Sequence, residues 1–229
     1  MSSPAAQPAE LLSAGIKALN LDCPLDVQTR LLDYVQLLHK WNRVYNLTAV
    51  RDPAQMVIRH LLDSLAVLPC LNNALGKKSA GQSVLDVGTG AGLPGIPLAL
   101  LSAKPHPERR FVLLDSNSKK TRFMQQAVAE LALDNVQVVH ARTEDFQTEQ
   151  GFDVVLSRAF ASVADMLAGA GQHCLPDGMV LAMKGTDPVA ELTDLSAAFI
   201  VEKVHSLQVP GLNEERHLVC LRRAGIKTR

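Results

Sequence analysis

The rhythm of apolar and polar positions changes once along this chain. Near the start, Leu31, Val35, Leu38, Trp41 and Tyr45 recur at three- and four-residue steps. That spacing puts them on one face of a helix, as a core stripe. The eight residues at the beginning, with Pro4 and Pro8 among small polar side chains, read as frayed. Asp52-Pro53 opens a second helix with the apolar stripe Val57, Leu61, Leu65 and Leu68. Its other side carries Arg59, His60 and Asp63. Residues 72–82 lose all periodicity and are rich in Gly, Lys and Ser, which marks a connector. The boundary is placed there: a helical extension over 1–72 and a second unit over 73–229.

Beyond the connector, short apolar runs alternate with helical patterns. Strands are predicted at Ser83–Val87, Arg110–Leu114, Val136–His140, Asp153–Ser157 and Met179–Met183. Helices are predicted near Pro94–Ser102, Ser118–Leu133 and Ala161–His173. This alternation indicates βαβ units and a mainly parallel sheet, an α/β fold. The end differs. Ile200–Val209 and Glu215–Arg223 flank Pro210-Gly211-Leu212-Asn213, so a hairpin adds an antiparallel strand at the sheet edge.

Composition narrows the class only a little. Of the 229 residues, 47% are hydrophobic, enough for a sizeable core. The 23 basic and 23 acidic side chains cancel, which argues against a protein that coats nucleic acid non-specifically but leaves room for a local basic face. Cys23, Cys70, Cys174 and Cys220 form no C-x-x-C pair. They read as reduced thiols of a cytoplasmic protein and not as a metal site. Met1–Glu10 lacks the pattern of a signal peptide, and the apolar run Ile96–Leu101 is too short to span a bilayer.

The chemistry starts at Val84–Gly95, V-L-D-V-G-T-G-A-G-L-P-G, an apolar strand running into a glycine loop. Glycine lets backbone approach a ligand closely. Gly90–Gly95 matches G-x-G-x-x-G, and Asp115 follows twenty residues later, the spacing of a dinucleotide site. Three features favour S-adenosylmethionine (SAM) over NAD. Asp86 would repel a pyrophosphate and welcome a cationic amino acid moiety. Pro94 removes a backbone donor where phosphates would need one. No second domain follows the sheet to carry a hydride acceptor.

Asp115 ends a strand, where a carboxylate can accept both hydroxyls of a ribose. With Ser116, Asn117 and Ser118 beside it as better helix caps, the ribose role is favoured. Thr143 and Glu144, after the third strand, suit either an adenine edge or a capping turn. Arg158, at the mouth of the fourth strand, needs a partner: the cofactor carboxylate, a substrate phosphate or a local Asp. Lys119, Lys120 and Arg122 crowd a helix start, where cations oppose the helix dipole. That placement suggests an anionic partner, with nucleic-acid phosphate the obvious one. The five Lys and Arg within Arg216–Arg229 read as a tail. His60, one turn from Asp63, reads as a surface histidine satisfied by that carboxylate. Trp41 and Tyr45 are assigned to the core and not to base stacking.

Seven segments together resemble one family. They are H-K-W-N-R-V-Y-N-L-T (His39–Thr48), R-H-L-L-D-S-L (Arg59–Leu65), D-V-G-T-G-A-G-L-P-G-I-P-L (Asp86–Leu98), L-L-D-S-N-S-K-K-T-R-F (Leu113–Phe123), F-D-V-V-L-S-R-A-F-A (Phe152–Ala161), K-G (Lys184–Gly185) and E-R-H-L (Glu215–Leu218). Between roughly Leu31 and Leu221 the chain is similar to the glucose-inhibited division protein B family, the small-subunit rRNA guanine-N7 methyltransferases of the RsmG type. The resemblance implies a Rossmann-like SAM-dependent methyltransferase with a mostly parallel seven-stranded sheet and an N-terminal helical cap. It implies SAM contacts at Gly88, Leu93, Thr143, Glu144 and Arg158, beside Asp86, Gly90 and Asp115. Many members carry alanine or valine where Thr143 stands, a difference that leaves a backbone contact untouched. The implied target is a guanine N7 in the decoding region of 16S rRNA in the small ribosomal subunit. Lys119, Lys120, Arg122, Arg59, His60 and Lys184 are the candidate RNA contacts. A monomer without metal is expected, and no general base is required. Kept beside this reading are an NAD-dependent Rossmann oxidoreductase and a ribosome-assembly RNA-binding module without activity.

Overall fold

A computed structural model describes residues 6–76, 81–158, 160–193 and 195–224. Seven strands form one sheet in the order β3-β2-β1-β4-β5-β7-β6. They are β1 (Ser83–Val87), β2 (Arg110–Asp115), β3 (Val136–His140), β4 (Phe152–Ser157), β5 (Cys174–Lys184), β6 (Phe199–Ser206) and β7 (His217–Arg223). The first five run parallel, and β7 lies antiparallel between β5 and β6. Chain order reverses between β1 and β4, and a crevice opens beyond the carboxyl ends of strands at such a point.

Side chains on each strand alternate between two cores. Val84, Leu113, Leu156 and Leu181 face the helices α1 (Ala6–Ala18), α2 (Leu25–Tyr45), α5 (Leu68–Leu75), α6 (Gly95–Ser102) and α7 (Ser118–Glu130). Leu85, Leu114, Val155 and Val180 face α8 (Val163–Ala170). One core thus runs from Leu12 to Cys220, through the N-terminal helices and the sheet alike.

The predicted strands all form, with two departures among the strands and two among the helices. β5 begins at Cys174, five residues ahead of the expected Met179. Pro176-Asp177-Gly178 looks like a turn but lies in the strand opposite a register shift between Phe152 and Val154. There a Cβ on Gly178 would meet the Asp153 carbonyl at 2.8 Å, so only glycine fits. The hairpin loop is longer than the four residues expected and is closed by Leu207 N–H to the Arg216 carbonyl at 2.7 Å. The helix expected over Ala161–His173 is shorter: Ser162 caps α8, and a 3-10 turn covers Gly171–His173. At the other end, helix α1 already starts at Ala6, so Gln7 and Pro8 are helical and not frayed. The last five residues of the basic tail lie outside the described residues, as does Ala159.

Asp52 caps α3 (Pro53–Met56) by accepting from Gln55 N–H at 2.9 Å. The helix then widens into a π turn, Val57–Leu62, and continues as α4 (Asp63–Leu65). Such turns are rare and cluster at functional sites. The stretch Pro53–Leu75 is long and apolar enough to cross a membrane, but 78% of its most apolar window is buried inside the protein. It is a core segment.

Candidate functional site

Two cavities meet at Arg158 beyond the carboxyl ends of β1 and β4. The first, about 210 Å³, lies under the glycine loop and is lined by Leu47, Thr48, Gly88, Gly90, Leu93, Lys120 and Arg158, with Thr89 and Ala91. The second, about 300 Å³, is lined by Arg59, His60, Asp63, Arg158, Lys184 and Arg216, with Val50, Met183 and Gly185.

The loop is held from below by Asp86. Period-two alternation puts Asp86 on the face of Val84, towards α6, and leaves it 0% exposed. Its Oδ2 accepts from Thr89 Oγ1 at 2.6 Å and from Gly95 N–H at 2.8 Å. A Cβ on Gly95 would meet that same oxygen at 2.8 Å and clash with Leu113. The expectation that Asp86 greets the cofactor therefore changes: the carboxylate is a clasp inside the loop. Burial pushes its carboxyl up to about 7, against the pull of Thr89 and Gly95. The folded chain holds this proton at a pH where the unfolded chain has lost it, so this contribution to stability is complete below about pH 4 and fades as pH rises through 7. Asp86→Asn removes it. Between about pH 5 and pH 8 the stability of the variant relative to wild type should shift in the variant's favour by about 2–3 kcal/mol. Unfolding in denaturant at both pH values measures this, and a constant difference would contradict it.

The first turn of α6 has no donors to spare for a pyrophosphate. Gly95 N–H goes to Asp86, and Ile96 N–H goes to the Gly92 carbonyl at 2.7 Å. Gly88 and Gly90 both stand at φ 65°, where glycine is favoured. A Cβ on Gly90 would enter open space whose nearest atom is Lys120 Nζ at 3.9 Å. Behind Gly90, Asp115 accepts from Gly90 N–H and from Asn117 N–H, both at 2.8 Å. Asn117, not Asp115, caps α7 by accepting from Lys119 and Lys120 N–H. The carboxylate is 7% exposed and keeps unused lone pairs at the crevice edge.

Arg158 finds the local acid that was one of its three expected partners. Its Nη1 donates to Asp63 Oδ2 at 2.9 Å, and Arg216 Nε donates to Asp63 Oδ1 at 3.0 Å. Asp63 is 2% exposed. His60 in the π turn and Asp63 just after it are buried, so of the expected polar side only Arg59 reaches the surface, where it pairs with Glu214. His60 accordingly differs from the expected surface histidine. It is 5% exposed and shares a 2.9 Å hydrogen bond with Thr48 Oγ1, not with Asp63. Burial, with Arg158 nearby, lowers it to about 4, so the ring is neutral. Lys184 is buried too, donating to the Ala161 carbonyl at 2.6 Å and pairing with Glu191 at 2.9 Å.

The N-L-T segment is shaped by Asn42. Its Oδ1 accepts from Thr48 N–H at 2.9 Å, and its Nδ2 donates to the Val50 carbonyl at 3.0 Å. This turn brings Leu47 and Thr48 to the first cavity. Gly88, Gly90, Leu93, Lys120 and Arg158 thus come together, with Asp115 one bond behind. Arg59, His60 and Lys184 gather in the neighbouring cavity. Lys119 and Arg122 stay exposed on α7. Thr143 and Glu144 sit in the turn after β3 and line neither cavity; the Thr143 carbonyl accepts from His173 Nε2 at 3.2 Å. Sequence reasoning missed Thr89 and Tyr34. Tyr34 is fully buried and donates to the Ala91 carbonyl at 2.8 Å.

Comparison with known proteins decides between the readings. Residues 27–219 match the family described as rRNA small subunit methyltransferase G, GidB. The chain belongs to this family. It is 50% identical over 215 residues to ribosomal RNA small subunit methyltransferase G of Methylococcus capsulatus, covering 94% of this chain and 98% of that one. A relative of the same name from Pseudomonas aeruginosa is 47% identical over 223 residues, covering 97% and 99%. Among solved structures, the N-methyltransferase NodS from Bradyrhizobium japonicum, in complex with S-adenosyl-L-homocysteine, superposes with a TM-score of 0.55 at 16% identity, covering 82% and 98%. TrmN from Thermus thermophilus gives 0.54 at 18%, covering 73% and 53%. The fold is that of the Rossmann-like methyltransferases. An rRNA small subunit methyltransferase G is an rRNA methyltransferase and not an NAD oxidoreductase, in line with the consumed donors of α6.

Proposed function

We propose that this chain transfers the methyl group of SAM to N7 of a guanine in the decoding region of 16S rRNA, on the small ribosomal subunit, as a cytoplasmic monomer. The observation that carries the reading is the pair of joined cavities. One is floored by glycine backbone with a buried acceptor, Asp115, at its edge. The other is rich in Arg and Lys, and Arg158 belongs to both. These donors and acceptors fit a ligand with a ribose diol at one end and a carboxylate at the other.

When bound, SAM supplies an electrophilic methyl group on sulfur. Guanine N7 offers an unprotonated lone pair, so no proton has to be removed. The work left to the chain is binding, alignment and exclusion of water. In this reading Gly88, Gly90 and Leu93 shape the cofactor bed, Asp115 takes the ribose hydroxyls and Arg158 the carboxylate. Asp86 acts one step back, by fixing the loop. Thr143 and Glu144 are proposed for the adenine edge through the backbone. Arg59, His60 and Lys184 border the space where the base enters, and residues 1–72 serve as a helical extension of the cofactor unit 73–229. N7 lies in the major groove, deep and narrow in an RNA helix, so an unpaired guanine is the fitting target.

Asp115→Ala tests the cofactor placement. It should weaken SAM by about 1.5–3 kcal/mol, the range for a hydrogen bond to a charged partner. S-adenosylhomocysteine, with the same ribose, should weaken equally by calorimetry. An effect on one ligand only would contradict a ribose role.

Lys119, Lys120 and Arg122 are proposed to hold rRNA phosphates at the crevice rim. Replacing Lys119 and Arg122, which line neither cavity, by glutamine should leave SAM affinity nearly unchanged, raise the KM for ribosomal substrate and flatten the salt dependence of RNA binding, since fewer counterions are released; Lys120 is left in place because it lines the cofactor cavity. An unaltered salt slope would reduce them to solvated lysines and move the RNA face towards Arg59 and the basic tail.

A further inference from the structure

The chain has two tyrosines and a single tryptophan, and all three lie in one aromatic ladder. Tyr45 packs on Trp41 with centroids 5.2 Å apart and rings 35° from parallel. Trp41 meets Phe123 edge-on at 5.8 Å, and Phe123 meets Tyr34 at 6.1 Å. Tyr34 ends the ladder on the Ala91 carbonyl of the glycine loop. The inner rings, Phe123 and Tyr34, are fully buried.

The outer end is not buried, contrary to the sequence expectation for Tyr45. The helical stripe runs on to Tyr45, but α2 stops there, at Asn46 in a left-handed cap, and its last three residues are exposed. Tyr45 is 42% exposed and Val44 69%. One side of the tyrosine ring rests on Trp41, so its position is set from beneath. Two residues on, Leu47 lines the cavity under the glycine loop.

Charge says what would cover this ring. Residues 34–51 and 116–129, which meet through Trp41 and Phe123, contain Lys40, Arg43, Arg51, Lys119, Lys120 and Arg122; Lys40 shares a cavity with Asp33 and Glu130, which leaves the other five as the cations beside the ladder. All six are exposed except Lys120, which is half-buried and lies 4.0 Å from Asp115. In a chain of zero net charge this is a local concentration of cations around an exposed aromatic ring. Basic grooves with aromatic platforms are how single strands are held, since every base has a stacking face.

We propose that Tyr45 is a stacking platform for an unpaired RNA base next to the target nucleotide, with Arg43, Arg51, Lys119, Lys120 and Arg122 holding the adjoining phosphates. The proposal rests on the RNA-methyltransferase reading. The probe is a single-stranded oligoribonucleotide carrying 2-aminopurine, whose fluorescence falls on stacking, titrated with the full chain. Wild type and Tyr45→Phe should quench it alike. Tyr45→Ala should bind roughly 5- to 100-fold more weakly and leave the fluorescence high. SAM affinity should be the same in all three, and the unfolding temperature of Tyr45→Ala should fall by only a few degrees, the cost of the contact with Trp41. In methyl transfer to small-subunit rRNA, Tyr45→Ala should raise KM and leave kcat in place.

No quenching by wild type, or equal affinity of wild type and Tyr45→Ala, overturns the platform. So does a loss in Tyr45→Phe as large as in Tyr45→Ala, which would assign the effect to the hydroxyl. A dimer in sedimentation that Tyr45→Ala abolishes, with probe affinity unchanged, would make the face a self-association surface instead. If wild type quenches through the ring but transfers no methyl to rRNA, the methyltransferase reading fails and the platform stands.

Discussion

Asp63→Asn should cost this protein about 2–4 kcal/mol of stability, somewhat below the usual range for breaking a fully buried pair because both arginines reach water in part. Asp63 is 2% exposed and holds two guanidinium groups at once, at 2.9 and 3.0 Å. It ties the helix after the π turn to the end of β4 and to the approach of β7. Asparagine keeps the shape and removes the charge. Arg158 and Arg216, 28% and 18% exposed, would then face each other, and Arg216 would keep only Glu214, which it shares with Arg59. Because Arg158 lines both cavities, SAM affinity should fall as well. Denaturant unfolding measures the first effect and calorimetry the second. The partners should be coupled, so Arg216→Met in the Asp63→Asn background should cost less than in wild type. A loss below about 0.5 kcal/mol, in the range of a surface substitution, would show that the network is ornamental.

Gly88→Asp should abolish measurable SAM binding in a chain that still folds. Gly88 stands at φ 65°, donates its N–H to the Leu114 carbonyl at 2.8 Å and lines the first cavity. Aspartate is among the side chains that visit this left-handed region, so the backbone should tolerate it at about 1–2 kcal/mol. The new carboxylate takes the space that glycine leaves open for the cofactor. It also adds an anion near Asp115. Titration should give no heat with SAM while the unfolding transition stays cooperative. Unchanged affinity in a folded variant would sink the placement of the cofactor at this loop.

How far the sequence could be read depended on how local each feature is. The strands β1 to β4 were legible because they are short apolar runs bounded by turn residues. The glycine loop and the acidic end of β2 were legible for the same reason, as was the Asp52 cap. Long-range pairing was not. Asp63 and Arg216 are 153 positions apart, and nothing in their spacing says that they meet. The π turn has no sequence signature, and an amphipathic reading assigns His60 and Asp63 to an exposed side that this segment, buried nearly all round, does not have. The start of β5 was hidden by Pro176 and Gly178, which imitate a turn where a bulge lies. Tyr45 failed in the opposite sense. Periodicity carried it into the core stripe, although the helix ends there and leaves the ring uncovered. Asp86 was found for a sound reason, a carboxylate beside a glycine loop, but its depth turned it from a ligand contact into a clasp.

Methyl transfer to guanine N7 can be read directly from the product nucleoside. Unmodified 16S rRNA, free or in the small subunit, is incubated with the full chain and SAM carrying a labelled methyl group, then digested to nucleosides and analysed by mass spectrometry. Label should appear in 7-methylguanosine alone, from a single position in the decoding region. Label in a base methylated at another nitrogen, in a ribose 2′-hydroxyl or in no nucleoside at all would contradict it.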